Sequence, residues 1–287
     1  METHTLATDE VDLVYDVHGP LPTADGRPPL LLIGQPMEAG GFFTLAGYLP
    51  DRTLITYDPR GLGRSSVRRD GRTDMDPVVQ AGDLHRLIAE VGGPVEVFGS
   101  SGGAVVGLAL VAAHPEDVVT LVAHEPPLCA VLPDAPAANR ARQGFFDAYW
   151  AKGWGAGMAQ FIAMTSWQGE YTDAYFAQPA PDPAQFGMPS EDDGRRDDPL
   201  LSDRAWAVSD YIPDVEALKA ASTRVVIAVG EESAGTFTAR TSEATAAALG
   251  REATVFPSNH GGFLGPEFGM PGKPEEFAAR LEEVLAG

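Results

Sequence analysis

Pro94-Val95-Glu96-Val97-Phe98-Gly99-Ser100-Ser101-Gly102-Gly103-Ala104-Val105-Val106 decides how the rest of this chain is read. The β-type run Val95 to Phe98 meets the pentapeptide Gly99 to Gly103, and an apolar helical stretch follows. A Gly-x-Ser-x-Gly segment between a strand and a helix is the setting of a nucleophile elbow, a turn so sharp that its central side chain is thrown clear of the backbone. Strand and helix nearly collide at such a turn, so the flanking positions must be small. Gly99 and Gly103 meet that demand around Ser101. Centring on Ser100 would put Phe98 where a small residue is needed, so Ser101 is the candidate nucleophile.

Strand-like and helix-like stretches alternate on either side. Leu6 and the run Val11 to Val17 read as an antiparallel pair, while Leu30 to Ile33 and Leu54 to Tyr57 are continuous apolar runs of the kind that fill a buried strand. Asp76 to Val91 carries apolar residues at helical spacing and stops at Gly92-Gly93. A helix over Ala104 to Ala113 and a strand over Val118 to Ala123 follow the elbow. Such alternation with short connections implies an α/β chain, a mostly parallel sheet flanked by helices. The pattern breaks after Glu125-Pro126-Pro127, where a helix-like stretch rich in Phe, Tyr and Trp begins. It resumes with a strand over Arg224 to Val229, a helix over Ala239 to Leu249, a strand over Ala253 to Phe256 and a final helix over Pro274 to Leu285. The expected organisation is a core of residues 1–127 and 216–287 carrying a helical insertion, residues 128–215.

A serine hydroxyl is a poor nucleophile near neutral pH and needs a base within reach. His260 is the candidate, on a Gly-flanked loop in Phe256-Pro257-Ser258-Asn259-His260-Gly261-Gly262-Phe263. His4 and His18 fall in the first hairpin, His85 in a helix, His114 at a helix end and His124 at a strand end ahead of the insertion. Charge narrows the partners: 41 acidic against 20 basic residues give a formal charge of -21, which repels nucleic acid and anionic membrane surfaces. A small-molecule substrate is the expected partner, with monomer and homodimer both open. The N-terminal stretch lacks a basic segment followed by an apolar one, so a cytoplasmic location is expected. The single cysteine, Cys129, allows no internal disulfide, and the histidines lack ligand spacing along the chain, so no metal is expected.

Three pieces together, Tyr57-Asp58-Pro59-Arg60-Gly61-Leu62-Gly63-Arg64-Ser65, the elbow and the His260 loop, resemble the α/β-hydrolase superfamily. The likeness covers nearly all of the chain outside the insertion, which is similar to the helical cap of that fold. It implies the α/β-hydrolase fold, a triad needing no cofactor, and a turn-bracing role for Asp58 and Arg60. It also implies two oxyanion-binding N–H groups. One is that of Gly102, after the nucleophile; the other is that of Gln35, in Ile33-Gly34-Gln35-Pro36-Met37, which keeps the family's glycine and proline but not its histidine. Met37, Ser100 and Phe263 are the expected substrate contacts.

The acid departs from the family's commonest pattern. Its usual aspartate follows the strand Arg224 to Val229, where this chain has Gly230-Glu231-Glu232-Ser233, a serine at the expected position. Glu231 or Glu232 can serve, the acid can be absent, or it can be Glu125, at a second location used in some haloalkane dehalogenases. Glu125 is favoured, because a carboxylate at a buried strand end is costly unless paired. The resemblance then implies a serine hydrolase that cleaves a small, largely apolar ester, lactone or thioester through an acyl-enzyme. The alternatives are a cofactor-free, non-hydrolytic enzyme of the same fold (haloperoxidase-like, lyase or cyclase) and a ligand-binding protein with a decayed triad. Epoxide hydrolase and dehalogenase chemistry uses an aspartate at the elbow, which Ser101 replaces.

Overall fold

Among the residues described in the computed structural model, 1–67, 75–269 and 272–287, nine strands form one sheet. They are β1 (Glu2–Ala7), β2 (Val11–His18), β3 (Leu30–Gln35), β4 (Leu54–Tyr57), β5 (Ser66–Val67), β6 (Val95–Ser101), β7 (Val118–His124), β8 (Arg224–Gly230) and β9 (Thr254–Phe256). Their spatial order is β1-β2-β4-β3-β6-β7-β8-β9, with β5 beside β2. Pairings within β1, β2, β4 and β5 are antiparallel, and every pairing from β4 through β9 is parallel. All six parallel strands therefore end on one edge of the sheet, the edge where open α/β sheets build their sites.

Alternation along β3 shows how the sheet is covered. Leu31 and Ile33 join one apolar cluster, under the helices α2 (Pro77–Val91), α3 (Gly102–Ala113), α8 (Val215–Ala220) and α9 (Phe237–Ala248). Leu30 and Leu32 join the opposite one, under α1 (Phe43–Gly47) and α10 (Pro274–Ala286). Side chains two apart share a face, so a strand apolar at every position is a strand buried on both sides. Local signals fix the ends of α2. Asp76 accepts the Val78 N–H at 2.9 Å, Pro77 opens the helix, and Gly92 closes it at a φ of 79°. α3 is buried at every position from Gly102 to Val111, which an all-apolar helix requires.

The insertion between β7 and β8 holds α4 (Ala135–Lys152), α5 (Trp154–Ser166), α6 (Asp173–Phe176) and α7 (Trp206–Asp210). Its own apolar cluster includes Phe145, Tyr149, Met164 and Leu201 and reaches Phe237 of α9. Asp198 pins the irregular stretch ahead of α7, accepting from Trp154 Nε1 at 3.0 Å and from the Leu200 and Leu201 N–H groups at 2.8 and 2.9 Å. No described helix is long and apolar enough to cross a membrane. One boundary differs from expectation in a way that matters. β6 runs on through Ser101, because Gly34 and Gln35 of β3 pair with Ser100 and Ser101, and α3 begins at once at Gly102.

Candidate active site

Three described residues other than glycine have a positive φ: Ser101 (56°), Glu125 (50°) and Ser258 (68°). Each such conformation costs about 1–3 kcal/mol and persists only where the surroundings impose it. All three lie just past or at the end of a strand, on the same edge of the sheet. At Ser101 the imposition is steric. A Cβ on Gly99 would lie 2.7 Å from the Gly103 carbonyl oxygen, and one on Gly102 would lie 2.7 Å from that of Gln35. The turn after β6 and the loop after β3 therefore touch backbone to backbone. Asp58 holds that loop from below by accepting the Ala39 N–H at 2.9 Å, while Arg64 Nε donates to the same carboxylate at 2.7 Å. Arg60 braces the turn, donating two 2.6 Å hydrogen bonds to Asp83 of α2.

Glu125 is fully buried, and its carboxylate is surrounded by donors. Oε1 accepts the Gly230 N–H at 2.9 Å, and Oε2 accepts the Thr238 hydroxyl at 2.6 Å. His260 Nδ1 lies 2.7 Å from the same Oε2, and an ionised carboxylate makes that nitrogen the donor. Burial alone would raise the Glu125 carboxyl. The hydrogen bond and charge of His260, with the Ser233 hydroxyl, outweigh it and hold the group well below the usual carboxylate range. Glu231 and Glu232 are exposed and share Lys273 Nζ at 3.0 and 2.7 Å. Of the three acid readings, the structure brings Glu125 to His260.

His124, next to Glu125, is also fully buried, among Phe98, Phe256, Phe263 and Phe277. Neither ring nitrogen has a partner among the described residues, and burial pushes its pKa down to about 4. Its ring stacks 6.2 Å from that of His260.

Above Ser101 lies a cavity of about 290 Å³. Gln35, Ser101, Gly102, Asn259 and His260 form its floor, and Phe145, Phe161, Met164, Trp206 and Phe237 give it mostly apolar walls. Ser101 and His260 both line the cavity, and no direct hydrogen bond joins them. The three expected substrate contacts lie outside its lining, each for a packing reason. Met37 folds back against Gly34 and Gly41, Ser100 is buried inside β6 opposite His124, and Phe263 stacks on Phe42 at 5.5 Å beneath the His260 loop.

Sequence reasoning missed Thr238, Ser233 and Gly230 around the acid, and Arg142 in the wall. Arg142 of α4 pairs with Asp210 at 2.6 Å, donates to Ser209, and lies 4.6 Å over the Trp206 ring. Nothing local marks a single threonine or arginine for such a role; only the position of Ser233, where an acid was expected, was a pointer. Among the described residues, the group of side chains able to hold a metal is away from the cavity, at His85, His114 and Asp117. These residues come from separate elements, so spacing along the chain does not bring them out.

A family model described as "Alpha/beta hydrolase family" matches residues 17–280. The uncharacterized hydrolase YraK of Bacillus subtilis (strain 168) is 36% identical over 130 residues, 45% of this chain and 46% of that protein, so the match spans less than half of either. A thermophilic esterase from Thermogutta terrifontis superposes with a TM-score of 0.62 at 21% identity, covering 100% of this chain and 98% of that one. A proline iminopeptidase from Mycobacterium smegmatis gives 0.63 at 19% identity, covering 99% and 98%. At such identities the likeness is one of fold, shared by an ester-cleaving and a peptide-cleaving protein alike.

Proposed function

Since this chain belongs to the alpha/beta hydrolase family, we propose that it is a serine hydrolase acting through an acyl-enzyme on small, largely apolar esters, lactones or thioesters. The observation that carries the reading is the buried Glu125 carboxylate 2.7 Å from His260 Nδ1, beneath a cavity that Ser101 also lines. In the proposed cycle Ser101 Oγ attacks the substrate carbonyl while His260 Nε2 takes its proton. Glu125 keeps the Nδ1–H tautomer in place and stabilises the imidazolium. The N–H groups of Gly102 and Gln35 receive the oxyanion, and the first lies at the positive end of α3. Collapse of the tetrahedral intermediate expels the alcohol or thiol, which takes the proton from His260. Water, activated by the same imidazole, then releases the acid and restores Ser101.

The cavity supports the substrate class. Its walls are aromatic and aliphatic, its one arginine is paired with Asp210, and about 290 Å³ sits at the small end of the range for small-molecule pockets. Ser101→Ala is expected to abolish turnover of short p-nitrophenyl acyl esters and to remove labelling by a fluorophosphonate. Labelling or turnover that survives the substitution overturns the proposal. Labelling at Ser101 without turnover across esters, lactones and thioesters would shift the reading to non-hydrolytic chemistry on the same site.

A further inference from the structure

α3 spans the sheet: Ser101 precedes its first residue and His114 follows its last, about 18 Å away along the axis. At that far end His114 meets His85 of α2 and Asp117, which leads into β7. We propose that His85, His114 and Asp117 bind a divalent transition-metal ion of the zinc class, at a site separate from the cavity.

The donor set makes the case. One ligand atom from each residue lies within 4.8 Å of the other two. His85 Nδ1 is 2.6 Å from Asp117 Oδ2, and the two imidazoles lie face to face, ring centres 3.9 Å apart and planes 11° from parallel. Imidazole and carboxylate together suit Zn²⁺, Co²⁺ or Ni²⁺, whereas Mg²⁺ and Ca²⁺ call for oxygen ligands. The Asp117 side chain is mostly buried (13% exposed) and anchors the group, while those of His85 and His114 are 41% and 30% exposed and open to an ion from solvent. Glu116 adds a second carboxylate at the rim, 3.8 Å from His114 Nδ1.

Metal–nitrogen bonds of about 2.1 Å put tetrahedral donors about 3.4 Å apart. Binding therefore requires the two partly exposed rings to turn out of their stack until both nitrogens face the ion. The ion takes the place of the Nδ1 proton between His85 and Asp117, and the neutral His85 ring then carries its one proton on Nε2. Bound there, it ties α2 to the corner between α3 and β7 and stabilises the folded chain by mass action.

Tag-free protein stripped with a chelator and titrated with Zn²⁺, or with Co²⁺ followed by its visible absorption, tests this without any substrate. One ion per chain should bind, and a hundredfold excess over Kd should raise Tm by about 5 °C. Mg²⁺ and Ca²⁺ should give no shift. His114→Gln removes a ligand that makes no hydrogen bond here, so its metal-free Tm should match the parent while its affinity falls at least about tenfold. His85→Asn should lose the Zn²⁺-induced shift as well. Absence of binding by the parent protein, or equal affinity in parent and His114→Gln (an adventitious ion only), overturns the proposal.

Discussion

β7 and β8 lie side by side, and each ends in carboxylates, yet the two ends treat them oppositely. Past β7, Glu125 is fully buried and meets Gly230, Thr238 and His260. Past β8, Glu231 and Glu232 stay in water and share Lys273. An exposed pair of that kind is screened by water and contributes little. Out of water the same charge interacts several times more strongly, and each of its oxygens is committed to named donors. The β8 end instead helps to hold the carboxylate of its neighbour. Gly230 supplies an N–H, and a Cβ there would lie 2.6 Å from the Ser258 carbonyl oxygen of the His260 loop. What makes a carboxylate an orienting group is the set of donors converging on it, and two strand ends are needed to assemble that set.

Substitutions at the two ends can break or sharpen this contrast. The largest expected effect is at Glu125: Glu125→Gln keeps shape but favours the wrong imidazole tautomer, and kcat on p-nitrophenyl butyrate should fall about 10³-fold. A loss under tenfold would mean that the buried carboxylate does not orient His260.

Next in size is a pH effect at His124. The folded state holds this group neutral down to about pH 4, whereas the unfolded chain takes up its proton near pH 6.5. Between those values the unfolded state binds the extra proton. Stability is therefore full above pH 6.5 and is lost as pH falls toward 4, by about 3 kcal/mol in all. Urea denaturation at pH 7 and pH 4.5 should show that loss in the parent protein and a smaller one in His124→Phe. Equal losses in both would place the acid sensitivity elsewhere.

Thr238→Val should lower kcat about tenfold with KM unchanged, and Thr238→Ser should restore it, because only the hydroxyl reaches Glu125. A change in KM instead would make Thr238 a wall residue alone. Smallest of all, Glu232→Gln should leave kcat within about threefold: Glu232 lines the cavity and accepts from the Ser258 hydroxyl at 3.4 Å, but its closest partner is the surface Lys273.

Much of this arrangement could be read from the chain. Gly99, Ser101 and Gly103 carry their geometry in their residue types, and the all-apolar run Leu30 to Ile33 in β3 announces a buried parallel sheet. The same logic fails for Phe263 and Met37. Apolar residues near a candidate site are as suited to supporting a loop from below as to touching a ligand, and only packing decides which. Thr238 and Arg142 carry no periodic or motif signal, and their roles arise from which helix turn faces the sheet edge. His85 and His114 show the same limit from another side, since spacing along a chain says little about residues that tertiary structure brings into contact.

Glu125 and His260 stand 135 positions apart, with the whole insertion between them. A ribosome adding about 5–20 residues per second needs roughly 7–27 s to cover that distance. The emerging polypeptide holds Ser101 and Glu125 before any of the acid's partners exists: Gly230 follows 105 positions after Glu125, Thr238 113 and His260 135. The end of β7 therefore has to stay wet until β8, α9 and the histidine loop arrive. His260, on which the proposed cycle relies to activate Ser101, is the last of those partners to be made.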